Sequence, residues 1–166
     1  MKQSILIISL LSVSLLLTPN AFAATSEVTW TDYKSYRDID PGNEGRKQFR
    51  ERTFRDLEKH FAKLAAKLPE GQTLKIDVTD VDLAGDTNAA GINRTRIIKQ
   101  LYSPRMNFSY QLLSAEGEVI KSEDVVVRDM NFMSGRLKYR NTSLPYEKKM
   151  LDDWFEDTFN ELIVSK

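Results

Sequence analysis

The apolar residues of this chain change their repeat twice, from steps of three and four to steps of two and back again. That switch restricts the fold to helices packed on a sheet. Phe54, Leu57, Phe61, Leu64, Ala65 and Leu68 recur at helical spacing in a run that begins near Arg46, and Pro69-Glu70-Gly71 stops it. Arg50, Arg55, Glu58, Lys59 and Lys63 occupy the other faces, with Glu51 expected to pair with Arg55 one turn on. Alternation then takes over. Leu74, Ile76 and Val78 point one way, whereas Val81 and Leu83 continue one residue out of phase, because strict alternation would put Asp80 in the core. A bulge or bend near Thr79-Asp80 is expected to absorb the slip.

The remaining elements follow from the same periods. A short strand at Val28 to Trp30 precedes the first helix, Gly85 to Gly91 reads as a small-residue loop, and Arg94 to Tyr102 reads as a strand. Met106, Phe108, Tyr110 and Leu112 alternate cleanly before Ala115-Glu116-Gly117 turns the chain into Val119 to Val127. A last helix opens at Ser143 or Leu144 beside Pro145 and runs through Leu162, with Tyr146, Met150, Leu151, Trp154, Phe155, Phe159, Leu162 and Ile163 as its apolar band. The prediction is an α+β two-layer sandwich: a mostly antiparallel sheet of about four to five strands carrying two amphipathic helices on one face. Phe61 and Trp154 are its expected core anchors.

The first 23 residues read as a cleavable secretory signal: Lys2, an apolar stretch from Ile5 to Leu17, and small residues at Ala21 and Ala23. A stretch of thirteen residues reaches ~20 Å along a helix, short of the ~30 Å hydrocarbon core, so a membrane anchor is the poorer reading. Residues 24–166 then form a single domain, with no further apolar run long enough to span a bilayer. Cysteine is absent, which excludes disulfides, thiolate nucleophiles, Cys-ligated zinc and lipidation at position 24. Removing the leader takes away Lys2 and no acid, leaving 23 of the 24 basic residues against 24 acidic ones. So balanced a chain has no global field to draw in nucleic acid.

Few residues carry chemistry. Asp80-Val81-Asp82-Leu83-Ala84-Gly85-Asp86 has the spacing of a calcium loop, but Ala84 and Gly91 stand where oxygen ligands belong, so no metal is assigned. His60 is the only histidine. It lies away from the apolar stripe, with Asp56 four residues before it, and is expected on the surface or at a helix cap. Arg94, Arg96, Lys99 and Arg105 concentrate positive charge after the acidic loop, and Arg136, Lys138, Arg140, Lys148 and Lys149 form a second basic stretch. There is no nucleophile elbow, zinc-binding His pair or phosphate-cradling glycine loop, and hence no cofactor to assign.

Several segments in order carry a family resemblance: Val28-Thr29-Trp30, Pro69 to Leu74, Val78 to Asp86, Pro104 to Leu112, Asp129-Met130-Asn131-Phe132 and Tyr146 to Phe155. Together they resemble the bacterial exported family catalogued as domain of unknown function 3016. The resemblance implies a periplasmic or otherwise secreted protein and brings no activity, cofactor or catalytic residue. The expected function is a small periplasmic module that contacts an envelope protein or a small ligand through Asp80, Asp82, Asp86, Arg94, Arg96 and Arg105. A hydrolase using the acidic loop, and a structural or stress-protective envelope protein, are the alternatives. If the leader is cut as its small residues direct, N-terminal sequencing of protein from the periplasm will read from Ala24, whereas an intact Met1 in a membrane fraction would overturn the signal reading.

Overall fold

A computed structural model describes residues 23–87, 94–135 and 137–163. Residues 1–22, nearly all of the segment read as a leader, and the part of the small-residue loop beyond Thr87 lie outside the described residues. Strand β1 (Thr25–Trp30) leads through a loop into helix α1 (Arg46–Ala65) and then strand β2 (Thr73–Asp82). Two short strands, β3 (Asp86–Thr87) and β4 (Arg96–Ile97), precede the hairpin of β5 (Arg105–Leu113) and β6 (Val119–Arg128), and helix α2 (Pro145–Phe159) closes the domain. The main sheet has the order β1-β2-β5-β6, with β3-β4 as a separate small ladder.

Both antiparallel pairings of the main sheet involve β5, whereas β1 runs parallel to β2, from Thr25 opposite Thr73 to Trp30 opposite Val78. A parallel neighbour needs a crossover, and α1 supplies it. Its buried residues Thr53, Leu57, His60, Phe61, Leu64 and Ala65 fall on one side, over the sheet and α2. The helix stops where Lys67 and Leu68 donate to the carbonyls of Leu64 and Ala65, just ahead of Pro69. Glu51 sits 3.8 Å from Lys47 on the turn before, not against Arg55 as expected.

The predicted phase slip is a bulge. Val78 faces Phe108 and Asp80 faces Asn107, so Thr79 is the extra residue, its hydroxyl donating to the Asn107 carbonyl at 3.3 Å. Leu74, Ile76, Val78, Val81 and Leu83 are all buried as a result. At the hairpin end, Gly117 takes φ +87°, a left-handed conformation that suits glycine, while Ser114 donates to the Glu118 carbonyl. The strand expected over Arg94 to Tyr102 shrinks to Arg96–Ile97. Ile97 and Ile98 are exposed there and Arg96 turns inward to a group of oxygens, so no alternating buried face exists to extend it.

Aromatic packing joins the layers. Trp154 of α2 meets Phe108 edge-on at 4.8 Å and Tyr110 at 5.6 Å, while Phe61 of α1 meets Phe108 at 6.1 Å. His60, expected near the surface, is buried between the helices. Helix α1 packs on α2 as well as on the sheet, so its buried face is wider than the apolar stripe alone. The His60 Nε2 faces two acceptors at 3.0 Å, the Lys148 carbonyl and Asp152 Oδ1, and therefore carries the proton. Asp152 also receives the Tyr139 hydroxyl at 2.7 Å and the Lys138 ammonium at 2.9 Å. Burial raises its pKa, but these hydrogen bonds and the histidine outweigh it and hold the carboxyl well below its ordinary range.

With both aromatics in this core, Phe61→Ala or Trp154→Ala is expected to cost ~3–5 kcal/mol in denaturant unfolding. A loss under ~1 kcal/mol at Trp154 would place that ring outside the core.

Candidate functional site

Beyond the bulge, Asp80 and Asp82 turn away from the core, and Asp82 lines an open cleft of about 690 Å³ at the end of β2. The loop between β1 and α1 forms its other wall. Tyr33, Lys34, Tyr36, Arg37, Asp38 and Asp40 line it from that side, Arg46 and Arg50 from the start of α1, and Asp82, Asp86 and Tyr102 from opposite. The loop reaches β2 as a short parallel extension of the sheet. Asp38 lies beside Asp82, its N–H donating to the Val81 carbonyl at 3.0 Å and its carbonyl accepting from Leu83 at 3.2 Å. Two Asp-x-Asp stretches, 38–40 and 80–82, are therefore laid side by side.

Counter-charges hold this arrangement. Arg96 grips Asp38 with both terminal nitrogens, at 2.8 and 2.9 Å, and also donates to the carbonyls of Asp40 and Gly85, each at 3.0 Å. Arg94 pairs with Asp40, and the backbone N–H of Arg94 binds the Asn43 side chain. The loop approaches so closely that a Cβ on Gly42, whose φ is +70°, would lie 2.0 Å from the Arg94 carbonyl oxygen. Asp80 accepts the Arg37 N–H at 2.8 Å, with the Arg37 guanidinium 3.9 Å away.

The six residues singled out from the sequence therefore divide. Asp82 and Asp86 line the cleft, and Arg105 stands opposite Asp82 in the β2–β5 register, its Nε hydrogen-bonded to Asn107. Asp80 is taken up by Arg37. Arg94 and Arg96 pair with Asp40 and Asp38 and with none of the acids at positions 80, 82 and 86. Sequence reading singled out neither Asp38 nor Asp40, which stand beside Pro41-Gly42-Asn43, residues that ordinarily form turns. The repeated Asp-x-Asp spacing was the available signal.

Asp82 differs from its neighbours. Its carboxylate has no hydrogen bond or ion pair under 4 Å among the described residues, and burial first, then the adjacent Asp38, push its pKa up against the pull of Arg37 and Arg105. Asp40 goes the other way: burial raises it, but the Gly42 N–H and Arg94 lower it further. Tyr36 donates its hydroxyl proton to the Val78 carbonyl at 2.6 Å, and burial together with Asp77 and Asp80 makes that hydroxyl harder to ionise. Across the cleft, the Arg50 guanidinium stacks over Tyr33 at 4.4 Å. Lys34 and Arg46 have no ion pair among the described residues. No group of three or more His, Asp or Glu side chains among those residues is disposed to hold a metal ion.

Fold and cleft together define a small α+β domain with a charged, two-signed cleft built at the end of a mixed sheet. A family model described as Protein of unknown function (DUF3016) matches residues 24–157, and the chain belongs to that family. Neither the curated proteins nor the solved structures contain a match.

A carboxyl whose pKa is raised by folding destabilises the folded state once pH rises through that pKa, and the penalty is absent where the group is protonated. Asp82→Asn is therefore expected to raise the melting midpoint slightly at pH 7, with the gain shrinking as pH falls through the carboxyl range. A lower midpoint at pH 7 would show that the carboxylate is structural.

Proposed function

We propose that this protein is an exported binding module of the bacterial envelope whose cleft holds a small ligand bearing both a cationic and an anionic group. The observation that carries the reading is Asp82: a half-buried carboxylate left without a direct partner where Asp38, Asp40 and Asp80 each have an arginine. A ligand ammonium placed against it relieves the repulsion from Asp38 and replaces lost solvation. Lys34 and Arg46 on the facing wall suit a carboxylate or phosphate, and Tyr33 and Tyr102 also line the space. The leader read from the sequence supports the location.

Hydrolysis is a second reading with its own support. Asp38 is fixed by Arg96 while burial favours the protonated form of Asp82, so two neighbouring carboxyls have unlike environments, as acid–base pairs require. Binding without turnover separates the two.

The test is a thermal-shift screen of amino acids, dipeptides and amino-sugar phosphates, followed by calorimetric titration of those that stabilise the protein. At least one zwitterion is expected to bind, and Asp82→Asn, folded and at least as stable, is expected to weaken it about tenfold, the scale of one charge-assisted contact. Affinity indifferent to Asp82→Asn and to Arg46→Ala would overturn the cleft assignment. Chemical conversion of the bound compound that stops in Asp82→Asn would move the protein to the hydrolase class.

A further inference from the structure

A second surface lies outside the cleft, where two loops meet. Ile98 and Leu101 belong to the stretch between β4 and β5, and Met130 and Met133 to the turn after β6; Leu101 is 77% exposed and Met130 65%. Gln100 donates to the Met130 carbonyl, Asp129 N–H to the Pro104 carbonyl at 3.3 Å, and Arg128 Nε to the Ser103 hydroxyl at 2.8 Å. The buried Phe132, packed edge-on against Tyr146 at 4.9 Å, pins the second turn by its middle. Met130 and Met133 flank that anchor and project into solvent. These tips are fixed by the fold.

The two loops are rich in cations. Residues 96–105 contain Arg96, Lys99 and Arg105 with no acid, and residues 130–140 contain Arg136, Lys138 and Arg140, again with no acid, although Arg96 and Lys138 are paired with Asp38 and Asp152 from elsewhere in the chain. The neighbouring Asp129 shares Lys149, at 3.4 Å, with Asp153 at 2.6 Å. Lys99 and Arg140 are exposed and form no ion pair among the described residues. Near-zero net charge over the whole chain hides these two exposed cations.

We propose that the paired loops dock the protein on an anionic phospholipid surface, Leu101, Met130 and Met133 entering the headgroup layer while Lys99, Arg128 and Arg140 meet lipid phosphates. Apolar side chains flanked by cations are the combination that holds a protein in the interfacial plane without spanning it. A protein partner usually buries about 800 Å² and some 20–30 residues on each side. A few projecting side chains on two tips are too little for that and enough for a lipid interface. Tyr102 sits on the first loop and also borders the cleft, so docking sets which way the cleft faces.

Flotation with phosphatidylcholine vesicles, with and without about one-third phosphatidylglycerol, tests this on protein and variants sharing one N-terminus, so that any leader contributes equally. Binding to the anionic vesicles is expected to exceed that to neutral ones several-fold and to fall with added salt. Leu101→Ser with Met130→Ser should reduce it about tenfold at an unchanged melting midpoint, and Lys99→Glu with Arg140→Glu should remove the anionic preference. Equal or absent binding to both vesicles, or binding that neither double variant changes, would overturn the proposal. So would light scattering showing a dimer that Leu101→Ser with Met130→Ser dissolves, which would assign the surface to a second copy of the chain.

Discussion

The single extra residue in β2 is the constraint on which the rest of this structure turns. Side chains alternate strictly across a strand, so without Thr79 outside the register the last stretch of β2 would aim Asp80 and Asp82 at the helices and Val81 and Leu83 at water. With it, one strand is apolar towards the core along its whole length while Asp80 and Asp82 face outward at its end. The core and the cleft are thus two results of the same local irregularity, which is where bulges are commonly found to re-aim side chains.

Placing acids at that end creates an electrostatic difficulty that the loop before α1 makes worse, since it brings Asp38 alongside Asp82. The fold answers with arginines drawn from elsewhere in the chain: Arg96 for Asp38, Arg94 for Asp40, Arg37 for Asp80. Arg96 does more than neutralise, because its planar fork also collects carbonyl oxygens from both walls and ties them together. Lysine, with one compact ammonium, has no equivalent reach. The compensation does not extend to Asp82, the half-buried carboxylate beside Asp38.

How much of this was legible in the sequence depends on the range of the interaction. Both helices, the β5–β6 hairpin and the bulge announce themselves through periods read over a few residues, and Phe61 and Trp154 were identifiable as core from spacing alone. The parallel pairing of β1 with β2 is not written locally, because the two strands are separated by an entire helix and the edge strand shows only a short apolar signal. His60 was misplaced because a stripe of apolar residues reports helix–sheet contact, whereas its burial comes from helix–helix contact and is made tolerable by Asp152 and a backbone carbonyl. The same limit explains the site. Asp82 and Asp86 were visible as a cluster, but the partners of Arg94 and Arg96 lie more than fifty residues earlier, in a loop whose residues look like ordinary turn formers.

The parallel edge strand also bears on the order of events during biogenesis. Ala24 is only 6% exposed, and Thr25 already donates to the Gln72 carbonyl, so the sheet begins immediately after the proposed cleavage point. A protease needs several residues on each side of the scissile bond in extended, unpaired form. Once β1 has docked, the chain on the downstream side is committed to β2 and is out of reach. Under the proposed export, removal of the leader at Ala23 has to precede completion of the sheet. Because β1 has no partner until α1 and β2 have emerged, the topology leaves that stretch unpaired for a protease until then.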